Sequence, residues 1–175
     1  MKNGLNIEAE IRDITRPLTE AVVCSGNCFG LMVRGSAKAL KEIAGQEAEN
    51  EAKLKSYRNG KLIEAGDCFS TRPYKMSRRG VKVIYHAVIK KYPGGITSLD
   101  FVTKSIRKVL EMAVSEGIKT IAIPGIGTGE GRLDKSSVAS IMFRIVKDFN
   151  HKIEVRFVDT NKEFINEVEQ LLSQR

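Results

Sequence analysis

The stretch IKTIAIPGIGTGEGRLD, residues 118–134, joins an apolar run to a loop carrying four glycines. Ile118 to Ile123 is apolar enough for a central strand, and the loop follows at its carboxyl end. In open α/β sheets ligands bind beyond the carboxyl ends of strands, where loops and helix N-termini offer unpaired backbone N–H groups. A phosphate-binding loop needs several such N–H groups converging on one point, and glycine permits both the φ values and the close approach. Gly125, Gly127, Gly129 and Gly131 supply that freedom, and Thr128 adds a hydroxyl donor. A plain flexible turn is the alternative reading of the same glycines. The loop lacks the Gly-Lys-Ser/Thr ending of a P-loop, so nucleotide hydrolysis through a Mg²⁺-bound hydroxyl is not supported. Nor does a G-x-G-x-x-G open a helix after the first strand, which weighs against a dinucleotide fold.

Outward from this loop, strand-length apolar runs alternate with segments of helical period. Strands are predicted at Ile7–Ile11, Ala21–Cys24, Asp67–Thr71, Val81–Val88, Ile118–Ile123 and Ile153–Val158. From about Met32 to Tyr57, the positions Leu40, Ile43, Ala44, Ala48, Ala52 and Leu54 predict a polar surface helix or helix pair with a break at Gly45. A capping box of Thr97 and Asp100 opens a helix whose buried stripe is Ile106, Val109, Leu110 and Ala113, and Gly117 ends it. Ser137–Phe149 reads as a helix with Val138, Ile141, Met142, Ile145, Val146 and Phe149 on one face, and Thr160 with Glu163 forms the box of a C-terminal helix. The alternation implies an α/β domain whose mostly parallel sheet is covered on both faces. No repeat or linker divides it, so residues 1–175 are expected to form a single domain.

Composition limits the function classes. With 42% hydrophobic and 29% charged residues the chain reads as a globular protein, and the N-terminal MKNGLNIEAEIRD resembles no signal peptide. No run approaches membrane-spanning length, so a cytoplasmic location with no membrane partner is expected. Cys24, Cys28 and Cys68 make an odd count without a dense framework, and His86 and His151 stand at no familiar zinc spacing, so buried thiols are expected rather than a metal site. The net charge of +8 points to polyanions. Arg72, Lys75, Arg78, Arg79, Lys82, Lys90 and Lys91 cluster in sequence and keep nucleic acid open as an alternative partner, although the chain has no Trp for base stacking.

The run IAIPGIGTGEG resembles the second ligand loop of macro domains, whose pattern is close to I-A-F-P-x-I-S-T-G-x-x-G. Asp13-Ile14-Thr15 is similar to that family's G-D-I-T, VVCSGN at Val22 to Asn27 lies where I-V-N-A-A-N is expected, GDCFSTRPYKM at Gly66 to Met76 resembles its G-x-A-x-x-T-x-G-Y-x-L, and VIYHAV resembles its V-I-H-T-V strand. The resemblance covers nearly the whole chain. It implies a three-layer α/β/α fold with a mixed, mostly parallel six-stranded sheet, and a cleft for ADP-ribose, a related nucleotide or an ADP-ribosylated macromolecule, with no cofactor. By the same resemblance Asp13 would accept from the adenine amino group with the Ile14 backbone beside it, Asn27 would face the distal ribose, and Gly125, Ile126, Gly127, Thr128 and Gly129 would cradle the diphosphate, with Glu130 next to them; the residues alone equally allow Asp13 to cap an Asx turn ahead of Thr15 and Asn27 to close the turn after the second strand. The residue types suit these roles, since a carboxylate only accepts and an exocyclic amine only donates.

The other ligand loop departs from the family. Where ADP-ribose-binding members carry G-G-G-G-V-D-G-A-I, this chain has MVRGSAKAL, Met32 to Leu40, keeping only Gly35 and Ala39. Side chains at Met32, Val33 and Arg34 restrict φ and compete for ligand space, while Arg34 could contact a phosphate or face solvent. In hydrolytic members an acidic residue of this loop and a first asparagine in the strand motif help to position ribose and water; here Ala37 and Cys24 hold those places. Any hydrolysis of ADP-ribosyl or ADP-ribose-phosphate bonds would fall to Glu130 as acid or base, with His86 expected to be packed rather than catalytic.

Overall fold

The computed structural model describes residues 6–149 and 152–174, so the first five residues of the N-terminal stretch and His151 lie outside the described residues. Among the described residues eight strands and five α-helices follow in the order β1 (Ile7–Ile11), β2 (Ala21–Asn27), α1 (Gly35–Ala44), α2 (Gln46–Lys55), β3 (Tyr57–Arg58), β4 (Lys61–Leu62), β5 (Cys68–Thr71), β6 (Val83–Lys90), α3 (Leu99–Ser115), β7 (Thr120–Ile123), α4 (Lys135–Asp148), β8 (Glu154–Asp159) and α5 (Lys162–Ser173). A 3₁₀ helix at Tyr74–Arg79 precedes β6.

Six strands form one sheet in the order β1-β8-β7-β2-β6-β5, parallel throughout except for the antiparallel edge strand β5. The apolar run of β7 sits inside the sheet between β8 and β2. Successive side chains of a strand point to opposite faces, and β2 shows the result. Ala21 and Val23 join the core beneath α3, α4 and α5, while Val22 and Cys24 join the core beneath α1 and α2. A strand buried on both faces has no polar alternation to show, which is why AVVC and TIAI read as continuous apolar runs. Three layers result, α1 and α2 on one face of the sheet and α3, α4 and α5 on the other.

The helix pair breaks at Gly45, whose φ of 109° only glycine adopts readily. Its buried stripe is Ala37, Leu40, Ala44, Ala48 and Ala52; Leu54, assigned to that stripe from its spacing, is instead 77% exposed. Both capping boxes shift by one residue. Ser98, not Thr97, caps α3 by accepting from the Phe101 N–H, and Asp100 pairs with Lys104. Asn161, not Thr160, caps α5 by accepting from the N–H groups of Glu163 and Phe164. The hairpin of β3 and β4 has two residues on each side, too few for a sequence period. Among the described residues no helix is long and apolar enough to cross a membrane.

Candidate functional site

The carboxyl ends of β1, β2, β6, β7 and β8 open onto a cleft of about 360 Å³. One wall is the glycine loop after β7. The other is the N-terminus of α1, where no side chain caps the first turn, so the uncapped N–H groups of that turn and the positive end of its dipole are left for an anion. Gly35, the first residue of α1, has a φ of 57°, and a Cβ there would meet no atom within 4 Å, so its backbone faces open space.

Most of the residues singled out in the sequence meet in this cleft: Asp13, Ile14, Gly35, Gly125, Ile126, Gly127, Thr128, Gly129 and Glu130 all line it. Asp13 closes an Asx turn, since its Oδ1 accepts from the Thr15 N–H at 2.8 Å, and its other oxygen has no donor among the described residues. The turn thus fixes the carboxylate without exhausting it.

The phosphate cradle differs from expectation in its register. The Gly125 N–H donates to Asp159 Oδ2 at 2.9 Å, the Ile126 N–H to the Pro124 carbonyl and the Thr128 N–H to the Gly125 carbonyl. The Thr128 hydroxyl also donates to the Gly125 carbonyl, at 2.7 Å, so it is not a free donor. The N–H groups of Gly127, Gly129, Glu130 and Gly131 donate to no acceptor among the described residues. The unspent donors therefore lie in the second half of the loop, residues 127–131 rather than 125–129.

Asn27 is spent in a similar way. It is only 4% exposed and lies outside the main cleft. Its Nδ2 donates to the Leu31 carbonyl at 2.8 Å, and its Oδ1 accepts from the N–H groups of Phe29 and Leu31. The amide holds the turn after β2 together, and the residue borders a small recess beside the cleft.

In the segment MVRG, Met32 points into the core and Val33 points outward. The Met32 N–H donates to Glu49 Oε2 at 2.7 Å, and Lys41, Gln46 and Lys53 also reach this carboxylate. Burial alone would raise the Glu49 pKa, but the hydrogen bonds from Gln46, the Met32 backbone and Lys41 outweigh it and hold it down to about 2. Its contribution to stability is present above the ordinary value of 4.5 and is lost as pH falls toward 2. Glu49→Gln should therefore cost about 1–2 kcal/mol at neutral pH, with the deficit shrinking in acid, as urea unfolding at both pH values would measure.

Arg34 neither faces solvent alone nor stands free for a phosphate. Its Nη1 lies 3.0 Å from Glu130 Oε1, while Lys90 Nζ donates to Glu130 Oε2 at 2.8 Å. Burial pushes the Glu130 pKa up, yet the hydrogen bond and charge of Lys90, then those of Arg34, bring it below the ordinary carboxylate value. Glu130 is thus a counter-ion at neutral pH, a poor choice of proton donor. Lys90, grouped by sequence with a basic cluster, belongs to the cleft. Other members of that cluster are spent elsewhere: Arg72 pairs with Glu51, Lys82 with Glu20, and Arg79 donates to the Thr15 carbonyl.

The remaining nucleophile and base candidates are internal. Cys24, Cys28 and Cys68 are buried and free, and burial raises all three thiols, Cys24 and Cys68 to about 12. His86 stacks on Phe69 and contacts Thr71 Oγ1 and Cys24 Sγ beneath α1 and α2. No group of three or more His, Cys, Asp or Glu side chains among the described residues could hold a metal ion. Sequence reading missed Asp159, which anchors the glycine loop through Gly125. Its signal was its place at the carboxyl end of a strand, next to a helix start.

Residues 23–142 match the family model described as Macro domain. An uncharacterized protein of Aquifex aeolicus is 32% identical over 98% of this chain and 100% of its own length. Among solved structures, an Oceanobacillus iheyensis macrodomain with ADP superposes with a TM-score of 0.84 at 19% identity, covering 99% of this chain and 94% of the other. A Trypanosoma brucei macrodomain in complex with ADP-ribose gives 0.78 at 18% identity, over 95% of this chain and 69% of that one.

Proposed function

This chain belongs to the macro domain family, and from that premise we propose that its cleft binds ADP-ribose or a related adenine nucleotide, free or attached to a macromolecule. The observation that carries the reading is the pairing of unspent N–H groups at 127–131 with the uncapped N-terminus of α1 across one cleft. Two sets of backbone donors facing each other suit a diphosphate, because each phosphate needs several acceptors satisfied at once. Asp13 at the carboxyl end of β1 supplies the acceptor that an adenine amino group requires. The ADP and ADP-ribose held by macrodomains of the same fold support the same ligand class.

The residues support binding more than hydrolysis. Glu130 is neutralised by two cations, Ala37 and Cys24 stand where water-positioning groups would be needed, and His86 is sealed in the core. Isothermal titration with ADP and ADP-ribose tests the proposal: heat of binding well below millimolar ligand is expected, and none at millimolar ligand with folded protein rejects it. Asp13→Ala should weaken adenine nucleotides about tenfold, roughly 1.4 kcal/mol for one lost hydrogen bond to a charged group. A uridine diphosphate should be affected less.

A further inference from the structure

One end of the cleft is shut, and we propose that this end selects a ligand that terminates in a free phosphate, a nucleoside diphosphate such as ADP, over one that carries a sugar beyond its second phosphate. The inference rests on the nucleotide-binding reading and specifies which nucleotide the cleft takes.

Three elements meet at the shut end. Arg34 comes from the residue before α1, Lys90 from the last position of β6 and Glu130 from the glycine loop, and the carboxylate joins both cations. The Lys90 side chain is 8% exposed and that of Arg34 62%, so Lys90 is the fixed post and Arg34 the movable arm of a latch. Behind the latch the recess bounded by Ser25, Asn27, Ala37 and Pro93 offers about 10 Å³, no more than a single water requires and far less than a pentose. Its back wall is not soft. The amide of Asn27 is committed to its own turn, and a Cβ added to Gly94 would stand 3.3 Å from Glu130 Oε1, so the 92–95 turn abuts the carboxylate.

Charge favours the same choice. A terminal phosphate carries a charge between about −1.5 and −2 at neutral pH, whereas a phosphate esterified on both sides carries one. It can take both cations from the single carboxylate of Glu130, with Arg34 presenting a fork of donors and Lys90 a point charge. No covalent bond changes; two ion pairs exchange partners. A sugar attached to that phosphate would lower its charge and require the space that Arg34, Glu130 and the 92–95 turn occupy.

Titration of ADP, ADP-ribose and AMP into the full chain, into Arg34→Ala and into Glu130→Gln decides the matter, with circular dichroism to verify folding. The native protein should bind ADP about tenfold or more tightly than either ADP-ribose or AMP. Glu130→Gln should tighten ADP severalfold by removing the competing carboxylate. Arg34→Ala should weaken ADP about tenfold and leave ADP-ribose unchanged or tighter, so that the preference narrows or inverts. ADP-ribose binding to the native protein as well as or better than ADP overturns the latch and leaves the nucleotide cleft standing. Failure of all three ligands to bind the folded native protein overturns both.

Discussion

Gly131→Ala is expected to weaken ADP binding by about 100-fold or more, roughly 2.7 kcal/mol, while the sheet and helices stay folded. Gly131 does not have a positive φ, so alanine suits its backbone conformation and the effect comes from contact alone. A Cβ there would stand 2.6 Å from the Gly127 carbonyl oxygen and 2.7 Å from Thr97 Cγ2. The carbonyl cannot swing away, because it accepts from the Leu133 N–H at 3.0 Å and closes the loop. The loop must open, which shifts the unspent N–H groups of Gly127, Gly129, Glu130 and Gly131. The cost in folding is confined to overpacking at one surface loop, about 1–3 kcal/mol. Gly129→Ala is the companion variant: its Cβ meets nothing within 4 Å, so its thermal unfolding should match the native chain. Titration calorimetry and thermal melts measure both. Native affinity in a folded Gly131→Ala protein would remove these N–H groups from the phosphate site.

Much of the fold was legible because strands buried on both faces leave uninterrupted apolar runs. Val22 and Val23 point to opposite cores, yet both must be apolar, and the run AVVC states this directly. Ends were less legible. Thr97 and Ser98 both carry a hydroxyl, as Thr160 and Asn161 both carry a side-chain oxygen, and tertiary packing decides which one reaches the first-turn N–H groups. Thr97 Oγ1 is left buried without a partner among the described residues, a position that pattern alone assigned the opposite role.

The site divides along the same line. The glycine loop could be read because its chemistry is local, and its place after β7 followed from the apolar run before it. The spending of its donors could not be read, since Asp159 takes the Gly125 N–H from another strand. The latch was invisible for the same reason. Arg34, Lys90 and Glu130 are far apart in sequence, and only the parallel pairing of β2 with β6 and β7 brings their neighbourhoods together. Lys90 in particular has basic sequence neighbours but an acidic spatial one.

Acidification from pH 7 to about pH 4.5 should cost the fold roughly 2–3 kcal/mol through His86. The imidazole is 1% exposed, stacked at 4.5 Å on Phe69, with Nε2 3.0 Å from Thr71 Oγ1 and Nδ1 3.4 Å from Cys24 Sγ. A neutral ring can donate through one nitrogen and accept through the other, so this setting suits it uncharged. Burial lowers its pKa from 6.5 to about 3, against a weak opposing pull from Glu51. The unfolded chain takes up a proton below pH 6.5 and the folded chain does not. The His86 contribution is therefore fully present above 6.5 and is lost at about 1.4 kcal/mol per pH unit as pH falls toward 3. The lowered carboxylates, Glu49 and Glu130 among them, begin to add to the loss about one pH unit above their ordinary value of 4.5, so the interval from 6.5 to about 5.5 isolates the histidine. His86→Phe keeps a ring against Phe69 but cannot titrate. Whatever its absolute stability, its unfolding free energy in urea should be flat across that interval where the native chain slopes. An undiminished slope in His86→Phe would assign the acid sensitivity to another group.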